Sequence, residues 1–184
     1  MAGASSAWRR NLAGCLAVVA GVLALSFGVP AIDDALPNTT VSSSNPLEFA
    51  DNASVVPPPD ASVVAGQTSP EQGVVTLAVD GVRYRVTAES FPGTLQQLAD
   101  RIRAEVQNVA GVQGISPDQQ VTSNSGLPGL QATFVAENRT GWYTVYLLDG
   151  TGVTAVVDGN DAGVTAHRDA LETSIKTVTI EQVA

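Results

Sequence analysis

The sequence predicts an α+β protein: a mostly antiparallel sheet of five to six strands with two helices packed on it, in an α/β/α sandwich, preceded by one N-terminal transmembrane helix. Three observations lead there. An uncharged apolar run occupies residues 12–29, with Arg9 and Arg10 before it and Asp33 and Asp34 after it. Beyond residue 73, short β-rich runs alternate with Asp-Gly and Gly-rich turns. Two later segments carry apolar residues at three- and four-residue spacing, the period of an amphipathic helix.

The chain order divides into residues 1–10 as a cytoplasmic tail, 11–32 as a membrane anchor or signal, 33–72 as a linker and 73–182 as the folded domain. No charge interrupts the sequence between Arg10 and Asp33. About 20 apolar residues suffice to span a bilayer core as a helix. The flanking arginines hold the N-terminus inside and direct the rest outward. The run reads either as an uncleaved anchor or as a secretory signal cut after Val29-Pro30-Ala31. Both readings place residues from about 32 onward outside the cytoplasm of a single-pass membrane protein. Leu12-Ala13-Gly14-Cys15 has the form of a lipobox but stands ahead of the apolar residues instead of after them, so Cys15 reads as a small apolar residue.

Residues 33–72 have a linker's composition, with Pro37, Pro46, Pro57-Pro58-Pro59 and Pro70 and few large apolar residues. Such a stretch buries too little surface to offset its chain entropy and is expected to be a disordered tether.

The domain opens on a hairpin. Residues 74–79 and 82–88 flank Asp80-Gly81, whose tight primed turn needs positive φ. A two-residue loop pairs Val79 with Val82, Leu77 with Tyr84 and Val75 with Val86, all on one face. Arg83 and Arg85 project from the other. Residues 94–109 read as a helix, with Thr94 and Gln97 forming a capping box. Leu95, Leu98, Ile102, Val106 and Val109 form its apolar stripe. Residues 119–124 and 130–137 are strands around the turn 125–129, and 138–141 turns the chain again. Residues 142–148 leave little polar face, which predicts a central strand covered on both sides. Residues 153–157 pair with it. Asp161 caps a second helix to about residue 176, with Val164, Leu171 and Ile175 inward. Residues 178–180 add an edge strand.

Seven of the nine basic residues and all 18 acidic ones follow the apolar run, so that part is strongly acidic. Such a surface repels nucleic acid. With Cys15 as the only cysteine, no intrachain disulfide forms and the domain relies on its core.

Few side chains suggest chemistry. His167 is the only histidine, which excludes a multi-histidine metal site. It lies at the edge of the second helix's stripe, and no Gly-x-Ser-x-Gly elbow accompanies it. The stretch from Asp158 to Asp169 begins like a calcium loop, but Ala162 stands at the fifth ligand position, which leaves a turn and a cap. Trp142, Tyr143 and Arg139 share one end of the sheet and, with Arg83 and Arg85, are the candidate partner-binding residues. No catalytic residue, metal ligand or cofactor is assigned.

The hairpin at Asp80-Gly81, the helix after Phe91-Pro92-Gly93, the turn Gly126-Leu127-Pro128-Gly129 and the meander from 130 to 157 ending in the helix from 162 resemble the Mog1/PsbP-like family. That family includes LpqN-type lipoproteins of mycobacteria and some membrane proteins of type VII secretion. The resemblance covers most of 73–182 and implies a non-enzymatic accessory or binding domain in an actinobacterial cell envelope. This chain departs from the lipoprotein members at the misplaced lipobox. The expected function is a membrane-tethered extracytoplasmic domain that binds an envelope or secretion protein. The alternatives are a small-molecule or lipid carrier with an apolar cleft, and a small hydrolase using His167.

Overall fold

The computed structural model describes residues 39–50 and 52–181. The segments expected to form a cytoplasmic tail (1–10) and a membrane anchor or signal (11–32) lie outside the described residues. Within them no helix is long and apolar enough to cross a membrane.

The chain runs β1 (Thr39–Thr40), β2 (Leu47–Phe49), β3 (Ala53–Val55), β4 (Ser62–Val63), two single 3-10 turns, then β5 (Val74–Val79) and β6 (Val82–Ser90). Helix α1 (Leu95–Gln107) follows, then β7 (Val112–Ile115), β8 (Gln119–Thr122), β9 (Pro128–Ala136), β10 (Arg139–Leu148) and β11 (Thr151–Gly159). Helix α2 (Asp161–Lys176) and β12 (Thr179–Ile180) close the chain. The main sheet has nine antiparallel strands in the order β1-β4-β5-β6-β11-β10-β9-β7, with β8 beside β7 on the edge of β9. A second sheet, β12-β3-β2, has three strands. The domain is α+β, with two helices on a mostly antiparallel sheet.

The hairpin forms as its turn residues dictate. Asp80 and Gly81 have φ of 44° and 78°, and Val79 pairs with Val82, Leu77 with Tyr84, and Val75 with Val86. A second Asp-Gly turn, Asp149-Gly150, joins β10 to β11 with φ of 47° and 80°. Helix α1 carries the full capping box: the Thr94 hydroxyl accepts from the Gln97 amide, and the Gln97 side chain accepts from the Thr94 amide.

Strand β10 lies between β9 and β11 and is covered on both faces. Trp142 and Tyr146 join the core beneath α2, with Val164, Leu171 and Ile175. Tyr143 and Val145 join a second core beneath α1, with Leu98, Ile102 and Val106. Each large apolar side chain so buried contributes roughly 1.5–3 kcal/mol.

Several expectations are corrected. The supposed tether is largely part of the domain. Phe49, Ala53, Val55 and Ala61 are buried in the α2-side core. Pro57 and Pro58 are buried too. These apolar residues are scattered and look too sparse to nucleate anything alone; the rest of the domain provides the surface they bury against. That segment, together with β7, raises the main sheet from five or six strands to nine. Strand β10 begins at Arg139, so the turn is only two residues, Glu137 and Asn138. Asn160, not Asp161, caps α2: its side-chain oxygen accepts from the Gly163 amide at 2.8 Å. Helix α1 stops at Gln107, which leaves Val109 outside the stripe and 50 % exposed.

Candidate functional site

Helix α1 covers only part of its sheet face. It packs over β9, β10 and β7, and the neighbouring half of the face, on β6 and β11, stays open as a groove of about 480 Å³. Its floor is set by strand register. Arg83 lies opposite Asp158, Arg85 opposite Val156 and Thr87 opposite Thr154. Since paired residues share a face, three polar side chains of β6 and three positions of β11 line one surface. The wall is α1 and the segment after it, with Ile102, Glu105, Val106, Val109 and Val112.

Asp158 organises the polar end. Its carboxylate accepts from Arg83 Nε at 3.1 Å and Arg83 Nη2 at 3.2 Å, a two-pronged contact, and also pairs with Arg139. The carboxylate is nearly buried, at 11 % exposure, while Arg83 and Arg139 keep 49 % and 45 %. Arg85 is exposed, and no carboxylate pairs with it among the described residues. Glu105 on the wall is matched by Arg101 at 3.8 Å. Locally, three guanidiniums line the groove and two of them share one carboxylate, on a chain whose net charge is −9.

Gly141 shapes the apolar end. It sits in the same cross-strand row as Asp158 and Phe134. A Cβ there would lie 2.0 Å from the Val157 carbonyl oxygen and 2.7 Å from Phe134 Cζ, so only glycine lets the Phe134 ring lie down beside the groove.

Of the five candidate partner-binding residues, the fold brings together Arg83, Arg85 and Arg139. It removes Trp142 and Tyr143, both fully buried. Trp142 lies under α2, where Arg168 stacks over its ring at 4.9 Å. The Tyr143 hydroxyl donates to Asp118 Oδ1 at 2.8 Å under α1. Burial pushes the Tyr143 hydroxyl up, and its bond to Asp118 pushes it further. Burial also works to raise Asp118, but hydrogen bonds from Tyr143, Arg103 and Gln96 outweigh it and hold the carboxyl below its usual range. This cluster braces α1 against β10 and the 116–118 loop.

His167 Nε2 stands 3.1 Å from Asp80 Oδ2 in the hairpin turn, and that carboxylate is 82 % exposed. Among the described residues no serine, threonine or cysteine hydrogen-bonds to His167. The pair links α2 to the β5–β6 turn. The described residues hold no group of three or more His, Cys, Asp or Glu set for a metal ion. Asp158, the first position of the calcium-like stretch, is engaged by two arginines.

Thr154, Val156, Asp158 and the α1 wall were not marked by the sequence as site residues. On β6 and β11 a partial signal was present: Arg83, Arg85, Thr87, Thr154 and Asp158 alternate with the buried Val82, Tyr84, Val86, Val153, Ala155 and Val157, while Val156 carries none.

No family model and no curated protein matches the chain. Solved structures do. PsbP of the cyanobacterium Synechocystis (CyanoP) superposes with a TM-score of 0.54 at 12 % identity, over 74 % of this chain and 92 % of that one. LpqN of Mycobacterium tuberculosis, described as involved in cell envelope biogenesis, aligns with a TM-score of 0.46 at 13 % identity, over 79 % and 99 %. The protein has the Mog1/PsbP-like fold. At such identity the likeness speaks for architecture alone, because one fold hosts many activities.

Proposed function

We propose that this chain is a non-catalytic binding module of a bacterial cell envelope, tethered outside the cytoplasm by the apolar run at 12–29, with the groove beside α1 as its binding surface. The observation that carries the reading is the convergence of Arg83, Arg85 and Arg139 in one groove of an otherwise acidic domain. Positive charge gathered on a negative body is a local field that selects anionic partners. The carrier reading shares this groove and differs only in the size of what enters it. The hydrolase reading is weaker, because His167 pairs with a solvent-exposed turn aspartate and has no hydroxyl or thiol nucleophile beside it among the described residues.

The test is site-specific photocrosslinking in the living cell. A photoreactive residue replaces Val109 at the groove in the full chain, and a second chain carries it at Glu71, which lines a separate pocket beside the small sheet. A discrete adduct at 109 that disappears with Arg85→Gln supports the reading. The same adducts at both positions, or none at 109, would refute it.

A further inference from the structure

The binding reading leaves open what occupies the groove, and the groove's composition narrows it. The floor divides into two zones. At the polar end Arg83 and Arg139 share Asp158, so their remaining N–H groups face solvent. Arg85, beside them, has no carboxylate opposite it: its cross-strand neighbour on β11 is Val156. At the other end Phe134, Val112 and Val106 form a continuous apolar surface, and Val109 stands half exposed at its rim. An unmatched guanidinium and a half-exposed valine lining one groove ask for a ligand with both characters.

Resting on the binding reading above, we propose that the groove takes a small amphipathic anion. Its headgroup, a carboxylate or a phosphate monoester, sits against Arg85 and the free edges of Arg83 and Arg139. Its alkyl tail lies along the α1 wall past Val106 and Val109. Guanidinium is suited to both headgroups, because its planar fork binds two oxygens at once. The size agrees: small-molecule sites run to about 300–1,000 Å³, and the groove has about 480 Å³. A protein docking site needs a much broader face, on the order of 800 Å² per partner. The tail adds affinity in proportion to its burial, roughly fourfold per methylene removed from water.

Both variants that test this lie on exposed side chains. Arg85 has no internal carboxylate partner to lose and Val109 is outside the core, so Arg85→Gln and Val109→Asp keep the fold. The full chain, labelled with ¹⁵N-arginine and held in phosphatidylcholine nanodiscs, is titrated with octanoate, octyl phosphate and uncharged 1-octanol. Empty nanodiscs correct for partitioning. The expected result is saturable shifts of groove arginine signals with one or both anions and none with octanol. Arg85→Gln weakens binding about 10- to 100-fold, the range of a lost charge-assisted contact, and Arg85→Lys recovers part of it. Val109→Asp abolishes binding by placing a charged side chain in the path of the alkyl tail. Binding by either anion supports the proposal, and the tighter one assigns the source as a fatty carboxylate or a phosphomonoester. Equal binding of octanol, unchanged affinity in Arg85→Gln, or no saturation with either anion overturns it. If the anions fail while the Arg85-dependent crosslink at 109 persists, the ligand class is wrong and the binding module stands. Displacement of that crosslink by a short acidic peptide would then name the other class. If both fail, the groove is not the site.

Discussion

Replacing Phe49 by alanine decides whether residues 47–63 belong to the domain. Phe49 is 2 % exposed and shares a core with Ala53, Val55 and Ile180. It pairs with Ala53 across β2 and β3, and the next amide, Ala50, donates to the Pro70 carbonyl at 2.9 Å. A phenylalanine truncated to alanine in a core costs about 3–5 kcal/mol, the lost transfer energy plus the cavity left behind. The small sheet has only three short strands and can relax, so the lower end applies, about 3 kcal/mol. In an unanchored tether the same change would stay within about 0.5 kcal/mol. The two expectations differ roughly sixfold. The measurement is urea unfolding of the full chain, with Trp8 replaced by phenylalanine in both proteins, in non-ionic detergent, followed by the fluorescence of Trp142, which is fully buried beneath α2. With a slope of about 2 kcal/mol/M, the midpoint falls by about 1.5 M. A shift under about 0.3 M, with protease cutting between 47 and 63 as fast in the native protein as in the variant, would refute the packing described here.

Two further outcomes follow from the site and its supports. Gly141→Ala drives a methyl group into the Val157 carbonyl oxygen, a backbone atom that cannot swing aside, so it should cost about 3 kcal/mol and lower Tm by roughly 10 °C; a change under 2 °C contradicts the geometry. Asp118→Asn should cost about 1–3 kcal/mol at neutral pH through weakened bonds to Arg103 and Tyr143. Because the folded Asp118 sits below its ordinary value of 3.8, its contribution is complete above that pH and is lost as pH falls through the lower folded value. The gap in urea midpoint between wild type and variant should therefore close on acidification below about pH 4, and a gap independent of pH would contradict the assignment.

What could be seen beforehand was whatever local chemistry decides. Asp80-Gly81 dictates a turn and, through it, the whole β5–β6 register. Thr94 with Gln97 dictates where α1 starts. The run from Trp142 to Leu148 is apolar at nearly every position, and its place between two helices follows. Non-local features were hidden. Phe49 and Val55 stand isolated among prolines and serines, and nothing near them in the chain reveals the surface that receives them. Trp142 and Tyr143 were nominated as recognition anchors by type, though the same apolar density that made β10 central also buries them. Arg83 and Arg85 read as a pair on one strand face, and Arg139 as part of a separate group with Trp142 and Tyr143. The meeting of the three arginines depends on β11 inserting between β6 and β10, so that Asp158 lies between arginines 56 positions apart in the chain.

The small sheet sets the timetable by which this chain can finish folding. Ser54 and Thr179 touch through their hydroxyls at 2.8 Å, across 125 positions. The Glu181 amide donates to the Asn52 carbonyl at 2.7 Å. Any machine that feeds the polypeptide out from its N-terminus must release β2 and β3 long before their clasp, β12, emerges. Closing such a wide loop is a slow step compared with forming the hairpins. Until β12 arrives, β3 lacks its neighbour and Phe49 and Val55 remain exposed to holdases and proteases, and a chain stalled or clipped just short of Thr179 would leave β2 and β3 unlatched.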